Sequence, residues 1–257
     1  MPATPNPGIG LALSGGAARC IAHIAVLDVL EQEGVPIHAV AGTSAGSIIG
    51  ALYCAGMPLM EIKRLILNAT WTDILKLTVP RTGLISSDGI YRFMEEILPV
   101  QKFSALPFAA VATDLRTGNK VTITSGSLAR AVQASCSLPV LFTPTVINKK
   151  TLVDGGVSSQ VPVRTVREEL GVRKVIAVNV NYKALELDQF DNLVKIAAHL
   201  SALWASRNAR EEEKLADVVI NVNAKGIALY DLSKSKELLV RGKKAAEEMM
   251  PAIRALM

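Results

Sequence analysis

Short apolar, β-branched runs alternate with longer amphipathic ones along this chain. That alternation restricts the fold class to α/β, with a largely parallel sheet covered by helices on both faces. The strand candidates are IGLAL at 9–13, HAVAG at 38–42, FAAVATDL at 108–115, KVTIT at 120–124 and KVIAVNV at 174–180. The last is apolar almost throughout, as expected of a strand buried on both faces. Helices are expected at 17–33 and 44–56, directly after the first two strands, and at 60–69, 88–97, 127–136, 190–213 and 234–256. Between 57 and 106 the alternation fades, and turn residues punctuate TVPRTGLISSDG. A helical insertion beside or over the sheet is expected there, where a substrate-covering element belongs. The simplest organisation is one domain over 1–257 with that insertion embedded in it.

Half of the residues are apolar and a fifth are charged, which excludes disorder and calls for a sizeable core. No apolar run reaches the ~18 residues of a membrane span, and MPATPNPGIG has neither a basic n-region nor an apolar h-region of a secretory signal. A cytoplasmic protein is expected. Cys20, Cys54 and Cys136 are odd in number and lack metal-ligand spacing, so neither a disulfide framework nor a zinc site is expected. The net charge of +5 comes from scattered Lys and Arg, a pattern that argues against nucleic acid and suits anionic lipid head groups.

The stretch AVAGTSAGSIIGALYCAG puts Ser44 between Gly42 and Gly46, after an apolar strand and before an apolar helix. A strand that enters a helix through one residue holds it in a strained conformation. Flanking glycines let the backbones pack, and their missing side chains expose the hydroxyl. The helix dipole favours negative charge on that oxygen by only ~1 kcal/mol, so a nucleophile here still needs a base. The competing reading makes Ser44 an N-cap.

Two further stretches bear on the same chemistry. In LALSGGAARCIAHIAVL, Gly15, Gly16 and Ala17 precede a helix carrying Arg19, a turn that aims backbone N–H groups at a negative group. It lacks the G-x-G-x-x-G of dinucleotide sites. In TLVDGGVSSQVPV, Asp154 precedes two glycines that allow close backbone approach; it is either a partly desolvated base for Ser44 or the head of an Asx-turn. Of the three histidines, His23 and His38 read as structural and His199 flanks the apolar stripe of a helix.

The Gly-rich turn with Arg19, the Ser44 elbow, LARAVQASCSLPVLFTP at 128–144 and Asp154-Gly155-Gly156 stand in an order that resembles the patatin-like phospholipase family. The likeness is closest to short bacterial members related to the neuropathy-target-esterase catalytic domain, and it covers about 9–181. The resemblance implies a three-layer α/β/α sandwich and a Ser-Asp dyad. Ser44 would attack the ester carbonyl, and Asp154 would take the proton and return it to the leaving alcohol. Gly15, Gly16 and Ala17 would supply the oxyanion hole, at ~3 kcal/mol per donor, with Arg19 bracing the loop. The chain departs from the family's Gly-Gly-Gly-x-Arg-Gly at Ala17 and Cys20, and from its Asn-x-Pro at Gln160-Val161-Pro162. Cys20 reads as a packing position rather than a reactive thiol.

The implied substrates are phospholipid, lysophospholipid or other acyl esters, with peripheral membrane contact, no nucleic acid, and no metal or organic cofactor. In the insertion, Leu59, Met60, Leu65, Ile66, Trp71, Ile74, Leu75 and Leu77 stand among Lys63, Arg64, Lys76 and Arg81. They form either a cap that holds an acyl chain or a layer completing the core. Two alternatives stay open: a Ser44-Asp154-His199 esterase, and a lipid-binding protein of weak turnover. Leu238, Leu239, Met249, Met250 and Ile253 of the C-terminal helix are expected in the core or in a dimer contact.

Overall fold

The computed structural model describes residues 6–70, 83–103, 107–184 and 193–257. Five strands fall where the apolar runs predict them: β1 (Asn6–Leu13), β2 (Ile37–Thr43), β3 (Phe108–Asp114), β4 (Lys120–Ile123) and β7 (Val172–Tyr182). Three go beyond the sequence expectation: β5 (Thr145–Ile147), β6 (Lys150–Asp154) and β8 (Val218–Asn223). The sheet runs β5-β6-β3-β2-β1-β7-β8, with β4 also paired to β3. From β3 through β2, β1 and β7 to β8 every pairing is parallel. The β3–β4, β3–β6 and β5–β6 pairings are antiparallel.

Side chains alternate between two cores, as the period of a strand requires. On one face Leu11, Leu13, Val40, Phe108, Ile176 and Val178 pack beneath α1 (Ile21–Gln32), α2 (Ala45–Cys54), α5 (Leu128–Ser135) and α7 (Ser235–Arg254). On the other, Ala12, Ala39, Ala41, Ala109 and Ala177 let Val161, Val163 and Val166 and the helix α6 (Leu193–Glu213) approach closely. These are the three layers of an α/β/α sandwich.

The expected insertion holds α3 (Leu59–Asn68) and α4 (Asp88–Ile97). Leu59, Ile62, Ile90 and Met94 are buried in the first core, whereas Met60 is exposed. Trp71, Ile74, Leu75, Lys76, Leu77 and Arg81 lie outside the described residues. In the C-terminal helix Leu238, Met250 and Ile253 are buried, and Leu239 and Met249 pack against the same core. Their apolarity is therefore spent within the chain.

α7 closes on α1 through Gly242, where a Cβ would stand 2.5 Å from the carbonyl oxygen of Ala22. Replacing Gly242 with Val is expected to force the two helices apart and cost about 1–3 kcal/mol. Thermal unfolding should show the midpoint lowered by roughly 5 °C, while the far-ultraviolet spectrum keeps its helical character.

Candidate active site

The elbow is built by close backbone packing. Ser44 has φ 51° and ψ −134°, a left-handed conformation that costs a non-glycine residue about 1–3 kcal/mol and persists only where its surroundings impose it. They do so here: a Cβ on Gly42 would stand 2.6 Å from the Gly46 carbonyl oxygen, and one on Gly46 would stand 2.4 Å from that of Ser14. The N–H of Ser44 donates to Ser135 Oγ at 2.9 Å, and that hydroxyl donates onward to the Val111 carbonyl at 2.6 Å. The Ser44 carbonyl accepts from the Ser47 N–H at 2.7 Å, but the Ser44 side chain makes no capping bond to the helix it precedes, and its hydroxyl is turned elsewhere.

It is turned to Asp154. Strands β2 and β6 flank β3, with Thr43 opposite Val111 and Asp154 opposite Ala112, so the residue after one strand and the last residue of the other meet across a single intervening strand. Gly155 makes this approach possible, since a Cβ there would stand 2.2 Å from the Val111 carbonyl oxygen. The Asp154 carboxylate accepts hydrogen bonds from the Ser44 hydroxyl and, at 2.7 Å, from the N–H of Gly156. The Asx-type cap and the serine contact therefore coexist. Burial raises the Asp154 pKa from 3.8 to about 6, and the two hydrogen bonds oppose that rise.

The loop after β1 is held more tightly than its small residues foretell. The Gly15 carbonyl accepts from Asn181 Nδ2 at 2.6 Å and from Gln160 Nε2 at 3.1 Å. Because a peptide is planar and trans, fixing that carbonyl fixes the N–H of Gly16 on its opposite side. The N–H of Gly15 itself donates to the Gln160 carbonyl at 3.2 Å, and that of Ala18 to Leu229 at 3.0 Å. Among the described residues no backbone acceptor takes the N–H of Gly16 or of Ala17. This removes Gly15 from the expected donor set and leaves two. Ala17 sustains φ 45° despite its Cβ. Arg19 donates from Nε and Nη2 to the Ile227 carbonyl at 3.0 and 2.7 Å, and from Nη1 to Asn181 Oδ1 at 3.1 Å. It is a brace.

Sequence reasoning missed several residues. Asn208 on α6 accepts from the Gln160 N–H at 2.8 Å and donates to the Gly156 carbonyl at 2.9 Å. Buried Glu212 takes the Ser159 hydroxyl and the Arg164 N–H. Gln160 thus ties the loop after β1 to the Asp154 turn through both its side chain and its carbonyl. His23 is buried with Nε2 2.9 Å from the Ser14 carbonyl oxygen, and desolvation lowers its pKa to about 4. The same oxygen accepts from Cys20 Sγ at 3.4 Å, and burial pushes that thiol well above its ordinary value. Both are anchors of the loop. His38 is exposed at the start of β2, at the opposite end of that strand from Ser44. His199 sits on α6 but is not among the residues lining the cavity described next.

Ser44, Asp154, Gly16 and Ala17 open onto a cavity of about 990 Å³. Ile66 of α3, Ala69 just after it, and Ile90 and Phe93 of α4 line it, so the 57–106 segment presents apolar side chains to the cavity. Ala202 and Ala205 of α6 line the other side. Among the described residues no group of three His, Cys, Asp or Glu side chains is gathered as a metal site needs. None of the described helices is long and apolar enough to cross a membrane.

The profile of the Patatin-like phospholipase family matches residues 11–167, from the middle of β1 through the loop after Asp154. The chain belongs to this family. An uncharacterized NTE family protein of Mycobacterium tuberculosis is 29% identical over 218 residues, which are 83% of this chain and 59% of that one. Lysophospholipase NTE1 of Cryptococcus neoformans is 34% identical over 182 residues, 67% of this chain but 11% of that protein. The chain thus spans under two thirds of the length of these relatives. Among solved structures, VipD from Legionella pneumophila superposes with a TM-score of 0.65 at 16% identity, covering 97% of this chain and 67% of that one. This patatin-like chain shares the fold of VipD.

Because Asp154 binds its proton more tightly when folded, stability falls as pH rises from 3.8 through about 6 and is level above that. The interval is worth about 3 kcal/mol in the ionised form. Asp154→Asn is therefore expected to be more stable than wild type at pH 8, with the gap closing towards pH 4. Chemical denaturation across that range measures it.

Proposed function

We infer that this chain is a serine acyl-ester hydrolase acting on phospholipid or lysophospholipid. One observation carries the reading: a strained serine, hydrogen-bonded to a buried carboxylate, faces an apolar cavity beside two unengaged backbone N–H groups. The names of the NTE relatives agree with the substrate class. Ser44 Oγ attacks the ester carbonyl as its proton passes to Asp154, and the N–H groups of Gly16 and Ala17 receive the developing oxyanion. Collapse expels the alcohol, which takes the proton from Asp154 and leaves an acyl-Ser44 ester. Water then attacks that ester, again giving its proton to Asp154; collapse breaks the bond to Ser44 Oγ, which takes that proton back as the fatty acid leaves, restoring the serine and the carboxylate. The acyl chain lies against Ile66, Ile90 and Phe93 of the insertion, which serves as a cap on a single domain. Thiols without disulfide partners at Cys20, Cys54 and Cys136 suit a cytoplasmic setting, with the membrane reached from its inner face.

Fatty-acid release from lysophosphatidylcholine and hydrolysis of a short p-nitrophenyl ester test this. Ser44→Ala and Asp154→Asn should each lower turnover by roughly 10³-fold or more, and His199→Ala should leave it near wild type. Loss on His199→Ala would instead favour a Ser-Asp-His triad. Activity that survives Ser44→Ala would refute the assignment.

The carboxylate must be ionised to accept the proton. The rate is therefore expected to climb as pH rises through about 6 and then level off. Asn181→Ala and Gln160→Ala, which free the Gly15 peptide, should lower kcat by roughly tenfold or more while KM changes little.

A further inference from the structure

The helix α6 presents different chemistry on its two sides. Ser201, Ala202, Ala205, Ser206 and Ala209 line the cavity. At about 100° per residue they occupy one side of the helix, and Ile196, Leu200, Leu203 and Trp204 occupy the other. These four are exposed: 65% for Trp204, 60% for Leu200, 45% for Leu203 and 38% for Ile196. An apolar stripe recurring at i, i+4, i+7 and i+8 is the pattern of a buried helix face, yet here it points away from the core. Arg207 and Arg210 continue along the helix beyond it, and Lys214 follows its last residue. Of the three carboxylates among them, Glu211 is answered by Lys214 at 2.8 Å, whereas Glu212 turns inward to the Ser159 hydroxyl and the Arg164 N–H and Glu213 accepts from Asn179 Nδ2; Arg210 donates to the Ser206 hydroxyl at 3.4 Å and stands near Glu213.

We propose that the outer face of α6 docks the protein on an anionic lipid surface and brings the cavity beneath it to the bilayer. The chemistry selects this occupant. Leucine and tryptophan side chains with a following collar of cations match the boundary between acyl chains and head groups, where the indole ring is at home and arginine side chains reach phosphates. The chain's net charge of +5 has the complementary sign. The proposal rests on the lipid-hydrolase reading for its purpose, since the helix that meets the membrane on one side forms a wall of the proposed acyl site on the other. Its physical basis, the exposed stripe and its cations, is independent of that reading.

The test uses full-length protein carrying Ser44→Ala, so that vesicles are not consumed, and Trp71→Phe, so that Trp204 is the sole tryptophan of the two in the chain. On vesicles of phosphatidylcholine with roughly one third phosphatidylglycerol, the Trp204 emission should move to shorter wavelength and be quenched by brominated phosphatidylcholine. Leu200→Gln with Leu203→Gln should weaken co-sedimentation with the vesicles roughly tenfold or more. Arg207→Gln should weaken it on the anionic vesicles and not on phosphatidylcholine alone. Unchanged emission with vesicles would overturn the proposal, as would light scattering that shows a dimer burying Trp204 without lipid. With Ser44 present, hydrolysis of a short soluble ester should be unaffected by the two leucine changes. If the Ser44→Ala chain itself hydrolysed that ester, the catalytic reading would fall, and the vesicle measurement, made without turnover, would still decide the docking surface.

Discussion

The backbone of Ser14 and Gly15 is the fixed point around which the site is assembled. The Ser14 N–H bonds the Val178 carbonyl, and the Ser14 hydroxyl accepts from the Val180 N–H, which lock the segment to β7. The Ser14 carbonyl takes His23 and Cys20 from one side, while Gly46 of the elbow comes so close on the other that no side chain fits between them. The Gly15 carbonyl takes Asn181 and Gln160. The Ser44 elbow, the loop after β1 and the Asp154 turn, to which we assign the nucleophile, the anion site and the base, are therefore measured from one short piece of main chain, and none can shift without disturbing the others. Such interlocking is what lets a residue like Ser44 remain in a conformation it would leave in a free peptide.

The acid is held with the same economy and at a cost. Asp154 sits at the end of an antiparallel strand, on the side of β3 away from β2. Its carboxylate is nearly dehydrated, which opposes ionisation, and only two hydrogen bonds compensate. A better-satisfied carboxylate would be a more stable one and a poorer proton acceptor. In the function proposed here, the site gives up some folding free energy to keep a base of intermediate strength, the trade expected where stability and activity compete.

Much of this architecture was legible in the residues. Strands with continuous apolarity, such as β7, announced themselves, and the small residues at Gly42, Gly46 and Gly155 pointed to close backbone approach. The strands β5 and β6 are too short to show a period. β8, at VVINVN, alternates buried and less buried positions over only six residues. The roles of Asn208 and Glu212 could not be read, because polar residues on an amphipathic helix are assigned to solvent by default, and here they turn inward to bind loop backbone. The exclusion of Gly15 as a donor was equally hidden: whether an N–H is already engaged depends on a carbonyl 145 residues away in sequence.

The brace at Arg19 spans still further, reaching the carbonyl of Ile227 across 208 residues. A ribosome that has made β1, the elbow and even Asp154 has not yet made the group that seats the loop. Since the chain emerges from its N-terminus, the loop after β1 is seated by Arg19 only after the elbow, Asp154 and the strand β8 have all been made.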